Sequence, residues 1–147
     1  MNTTSLKHII RAILILLLQV LVLKRIGLST SWLWQYGDIF LSPVIVLLLP
    51  FRISRHYAIL IGFVIGLIID MFYDTIGVHA FALTATAYAR GLLLAYLEPR
   101  GGYQLSMSPT IFSMGLNWVM TFTVFSLPIH TFLYFTAEIF TFVHIGQ

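Results

Sequence analysis

The chain has no cysteine and very little charge. Of its 147 residues only 9% are Asp, Glu, Lys or Arg. Without cysteine there is neither a disulfide framework nor a thiolate metal site. A soluble domain carries roughly 25% charged residues because its surface must face water, so the shortage of charge excludes one. Apolar residues fill the space: they make up 59% of the chain, and mean hydropathy is +0.96. This is the composition of an integral membrane protein.

Inside lipid only helices or a closed barrel satisfy the backbone. Barrel strands alternate apolar and polar residues, whereas this chain has unbroken runs such as AILILLLQVLVL (12–23), so helices are expected. The formal net charge of +3 comes without a basic cluster or an aromatic platform, and no nucleic-acid partner is expected. The basic residues instead flank apolar segments, where they orient helices in the bilayer. Lys7 and Arg11 precede an apolar run that no small-x-small cleavage site follows, which predicts an uncleaved signal-anchor helix. Asn2-Thr3-Thr4 has the form of a glycosylation sequon but is expected on the cytoplasmic side, where it is a chance match.

A span needs about 20 apolar residues, and the chain offers several candidates. The first is 9–27, closed by Lys24 and Arg25, with Trp32, Trp34 and Tyr36 as an aromatic belt beyond it. The second, 38–51, contains Pro43 and Pro50 and is short, hence kinked, extended by those aromatics, or re-entrant. Segments 57–73 and 78–97 are joined by a tight turn at Thr75-Ile76-Gly77 and form an antiparallel hairpin. Ser108-Pro109 reads as the cap and first residue of a helix over 109–127. Segment 129–145 is either a sixth helix after a turn at Pro128 or a kinked continuation. The expected fold is an all-α, polytopic bundle of five to six transmembrane helices in one domain, 1–147. With the N-terminus cytoplasmic, Lys7, Arg11, Arg52, Arg55 and Arg100 lie inside against Lys24 and Arg25 outside, which favours that orientation.

The stretch GLIIDMFYDTIGVHAFALTATAYAR (66–90) holds Asp70, Asp74, His79 and Arg90 in apolar surroundings. Intramembrane ionisable residues are costly and mark function or a polar network. Gly62, Gly66, Asp70 and Asp74 recur every fourth residue and share one broad helix face. Gly62 and Gly66 admit a close neighbour, and Ala82, Ala85 and Ala89 offer a matching small face. Folding the hairpin about residue 76 brings His79 near both aspartates but leaves Arg90 about 12 Å deeper than Asp70. Arg90 is therefore expected to run past Gly62 towards the inner interface, with Glu98 as a partner. Asp74 and His79 also suit the simpler role of capping a solvated turn. Neither a metal-ligand spacing nor a catalytic motif accompanies them, so neither metal, cofactor nor enzymatic activity is expected. Asn117 is expected to bond a neighbouring helix, and Glu138 to face protein or reach the interface.

The runs G-L-I-I-D (66–70), D-T-I-G-V-H-A (74–80) and A-Y-A-R (87–90) resemble the rod shape-determining protein MreD family. So do L-L-Q-V-L-V-L (17–23), L-L-L-P-F (47–51) and P-R-G-G-Y (99–103), with Glu138 in a phenylalanine-rich segment. The resemblance spans most of the chain, and the order and spacing of the pieces carry it. It implies a bundle like the substrate-binding subunits of energy-coupling-factor transporters. It also implies a non-enzymatic role in the bacterial inner membrane, setting rod shape together with MreC, MreB and the elongation polymerase and transpeptidase. Members of that family continue into a further apolar helix. Two other functions fit the bundle less well. A vitamin-type binding subunit needs convergent polar groups from several helices, and a proton relay through Asp70, Arg90 and Glu138 needs polar residues between them.

Overall fold

The structure, a computed structural model, describes residues 3–18, 21 and 37–145. These residues form helices and no strand: α1 (Thr3–Leu17), α2 (Gly37–Leu47), α3 (Arg55–Tyr73), α4 (Val78–Tyr96), α5 (Ile111–Met114) and α6 (Leu116–Ile145). Among the described residues, three segments are long and apolar enough to cross a membrane: Arg55–Tyr73, Val78–Tyr96 and, within α6, Leu116–Thr141. The expected aromatic belt, Lys24, Arg25 and the sequon at Asn2 lie outside the described residues.

The central element is α4, which packs on α3, α6 and α2. The buried apolar core is Val46 and Leu49 from the α2 end, Ala58 and Ile69 from α3, and Leu83 and Ala87 from α4. Around it, many large apolar side chains face outwards, such as Phe63, Leu67, Phe132 and Ile139, the surface that a lipid solvent favours.

The boundaries agree with the sequence in the hairpin and depart from it elsewhere. The helix expected over 9–27 begins at Thr3. α2 has 11 residues, with Pro43 inside it and Pro50 beyond its end, so it is about 16 Å long at 1.5 Å per residue, too short to cross the bilayer. Ser108-Pro109 does not start a helix. Thr110 is the N-cap, in a capping box with Ser113, and α5 ends at Gly115, whose φ of 83° favours glycine. α6 then runs unbroken through Pro128, so 129–145 continues the helix and no turn separates a sixth one. Within an apolar bundle, a proline's missing donor does not force the chain to water. The hydroxyls of Thr121, Thr131, Thr136 and Thr141 each donate to the carbonyl four residues earlier, which lets α6 carry them at low polarity.

One end of the bundle is closed by the segment between α4 and α5. The Phe51 and Arg52 amides donate to the carbonyls of Met107 and Leu105, both at 2.9 Å. Phe51 stacks on Tyr103 with ring centres 4.3 Å apart, and Trp118 meets both rings edge-on. Tyr103 Oη donates to Leu94 O at 2.7 Å and Trp118 Nε1 to Leu97 O at 2.9 Å. These side chains satisfy carbonyls that the end of α4 leaves without a helical donor.

Candidate functional site in the α3–α4 hairpin

α3 ends where Asp74 takes the left-handed conformation, φ 55°, with its amide bonded to Asp70 O. Aspartate is among the few side chains that tolerate this geometry. Gly77, φ 77°, precedes α4 and has no side chain to cap the new helix. Asp70 does that work from the preceding helix. Its Oδ1 accepts from the His79 amide at 3.0 Å, from His79 Nδ1 at 3.0 Å and from the Thr75 hydroxyl. Its Oδ2 accepts from the Ala80 amide at 2.9 Å. A carboxylate only accepts, so Nδ1 of His79 carries a proton. The negative carboxylate also sits at the positive end of the α4 dipole. Asp70 and His79 are both buried, 5% and 2% exposed. With about four lone-pair sites per carboxylate and four donors, Asp70 is saturated.

The expected grouping of Asp70, Asp74 and His79 is therefore split. Asp70 and His79 form the buried pair, while Asp74 is exposed at the tip beside Met71 (81% exposed) and Ile76 (77%). Arg90 departs further from expectation. It is 2% exposed and reaches neither Glu98 nor the interface. Nη2 donates to Leu49 O at 2.5 Å and Nε to Leu47 O at 3.4 Å. Arg11 Nη2 donates to Leu48 O at 2.7 Å and to Ser108 Oγ at 3.3 Å. Two arginines thus hold three successive carbonyls at the end of short α2, a place where cations also meet the negative end of the helix dipole. Free carbonyls at membrane depth cost several kcal/mol each, and this requirement outweighs the pull of the interface on Arg90.

The packing seam also differs from the expected register. A Cβ on Gly62 would lie 2.8 Å from Leu83 O and 3.3 Å from Ala87 Cβ, and one on Gly66 would overlap the backbone of Ala80 and His79. The face of α4 against α3 is therefore Ala80, Leu83 and Ala87. Ala82 is fully buried, but Ala85 and Ala89 line an outward groove instead. Asp70 pinning the amides of His79 and Ala80 sets this rotation of α4, which residue size alone does not reveal.

Sequence reasoning missed a second polar group. His130 on α6 is 1% exposed, and its Nδ1 lies 2.8 Å from Thr86 Oγ1, whose hydroxyl is also 2.7 Å from Ala82 O. Tyr134 meets the His79 ring edge-on at 5.2 Å. Ser126, His130 and Tyr134 recur every fourth residue, and that period is the signal that marks the polar stripe. Glu138, further along α6, is half-buried, and Asn117 is exposed rather than bonded across helices. Compared with models of protein families, with curated proteins and with solved structures, the chain matches none of them.

Proposed function

We propose that this chain is a non-enzymatic scaffold of the MreD type in the bacterial inner membrane, with its N-terminus cytoplasmic and its helices in a polytopic bundle like that of energy-coupling-factor substrate subunits. Its role is to hold MreC and, with it, MreB and the elongation polymerase and transpeptidase, and so to maintain rod shape. The observation that supports this reading best is how the hairpin uses its charged residues. Asp70 and His79 are consumed in fixing the α3–α4 turn, and Arg90 in fixing α2. What the hairpin presents outwards is a pinned tip on which Asp74, Met71 and Ile76 are all exposed. A tip that is already ordered loses little entropy on docking.

Two measurements test the proposal. Depletion in the living bacterium is expected to turn rods round without a nutrient phenotype; a nutrient phenotype with normal rods would favour the vitamin-type subunit. Asp74→Arg combined with Ile76→Asp is expected to reduce recovery of MreC with the purified chain and to widen the cells. Unchanged MreC recovery and cell width would sink the placement of the contact at the tip.

A further inference from the structure

On the outer side of the hairpin, α4 lies recessed between α3 and α6 and leaves an open groove of about 800 Å³. Ile59, Phe63 and Leu67 form one wall, Leu133 the other, and Ala85 lies among the α4 residues that line it. Thr84, also in the groove, spends its hydroxyl on Ala80 O, so the lining offers no free donor there. The groove ends at Tyr88, and the Arg55 guanidinium sits over the Tyr88 ring, 5.5 Å from its centre. Gly91 makes room for that guanidinium: a Cβ there would lie 2.7 Å from Arg55 Nε.

Arg55 is exposed at the first residue of α3. A cation there faces the positive end of the helix dipole, the unfavourable end. Among the described residues no carboxylate lies within ion-pair distance of it. Arg52 adds to the positive character of the same corner. Arg55 is thus held in place by Tyr88 and the gap at Gly91, at a position that calls for an anion.

Depth decides which anion. From Arg55 to Leu67 is about 18 Å along α3 at 1.5 Å per residue, and one leaflet of hydrocarbon is about 15 Å deep. The groove therefore runs from the membrane surface through one leaflet, with the cation at its surface end. We infer that this groove binds one anionic phospholipid, its phosphate on Arg55 and an acyl chain lying along α4 between Phe63, Phe81 and Leu133. The far end of the groove reaches Gly77 at the hairpin turn, but its cation end lies at the opposite end of α3, and lipid retention is read independently of MreC recovery.

The test is native mass spectrometry of the full chain in detergent, titrated separately with phosphatidylglycerol and phosphatidylcholine. One phosphatidylglycerol per chain is expected, retained about fivefold better than phosphatidylcholine, the advantage one arginine gives at an anionic headgroup. Arg55→Gln should abolish that preference yet still bind both lipids weakly, while Arg100→Gln, on an exposed loop, should leave it intact. Ala85→Phe, which fills the groove from the outside, should lose both lipids while helical content by circular dichroism stays unchanged. Equal retention of the two lipids by the native chain would overturn the inference. So would a loss in Arg100→Gln as large as in Arg55→Gln, which would mean a diffuse basic surface. A chain that dimerises through the groove and excludes lipid from it would overturn it as well.

Discussion

Asp70 carries more of the hairpin than any other side chain, because four donors from three residues converge on it. Asp70→Ala leaves the His79 and Ala80 amides without a partner in apolar surroundings. The expected loss is on the order of 3 kcal/mol, since bonds to a charged group contribute about 1.5–3 and orphaned buried donors add their own cost. Asp70→Asn keeps one acceptor oxygen and should lose about half as much. Denaturant unfolding in micelles, followed by circular dichroism, measures both. Tyr103 offers a pH signature at the other end of the bundle. Burial pushes its hydroxyl above the usual tyrosine value, and the Glu98 carboxylate adds to the rise. The folded state therefore favours the neutral phenol. Its contribution is complete below the unfolded value of about 10 and fades as pH rises through the folded one. Native protein should lose stability more steeply above about pH 10 than Tyr103→Phe does, and parallel pH profiles would refute this. At this scale the sequence was legible where polar residues cluster: Asp70 and His79 stand close together along the chain. His130 was not, because it lies in a segment rich in phenylalanine and leucine and its partner Thr86 is 44 residues away along the chain.

How elements lie against one another depends on glycine and arginine. Gly66→Ala forces α3 away from the backbone of Ala80 and His79, which cannot yield as a flexible side chain does. The expected cost is about 3 kcal/mol, at the upper end for overpacking, with a smaller cost for Gly62→Ala. Since the same shift pulls Asp70 from its donors, Gly66→Ala combined with Asp70→Ala should cost less than the sum of the two, as a double-mutant cycle would register. Additive effects would mean that the seam and the cap are independent. Arg90→Leu strips Leu47 and Leu49 of their donor and should loosen α2 selectively, read as faster amide exchange over 44–49. Arg90→Lys restores charge but not two-point donation, so it should rescue only part of the protection. The hairpin was readable because its two apolar runs are long, its turn carries glycine, and its small residues recur at helical spacing. The start of α5 was misread because Ser108-Pro109 is a cap signal that competes with the capping box at Thr110, and the box prevails. The sequence left Pro128 open between a turn and a continued helix, because proline punctuates soluble helices yet is accommodated in apolar bundles; the structure shows the continued helix.

Across the whole molecule, α1 differs from the other helices in how it is attached. Its apolar side chains Leu6, Ile9, Ile10, Ile13 and Leu14 all face outwards, and its neighbour in the described structure is α2. Between two apolar surfaces in lipid there is no hydrophobic force to hold such a helix, so packing and polar bonds must do so. Arg11 supplies the polar bonds, tying α1 at once to Leu48 at the end of α2 and to Ser108 in the segment before α5. The same three-residue stretch, 47–49, is also held by Arg90 of α4. The two arginines therefore couple α1 to the central helix through the end of α2. This coupling has a consequence for stability that neither helix shows alone. Arg11→Gln keeps one amide donor and should leave the α3–α4 hairpin at native stability while raising proteolytic cleavage around α1 several-fold, since cleavage tracks the population of the opened form. Arg90→Leu should raise cleavage there as well, because the residues on either side of the Leu48 carbonyl that Arg11 grips are no longer fixed. Cleavage at α1 that rises in Arg11→Gln but stays native in Arg90→Leu would show that α1 is anchored by Ser108 alone, and that the end of α2 does not transmit order between the first helix and the core.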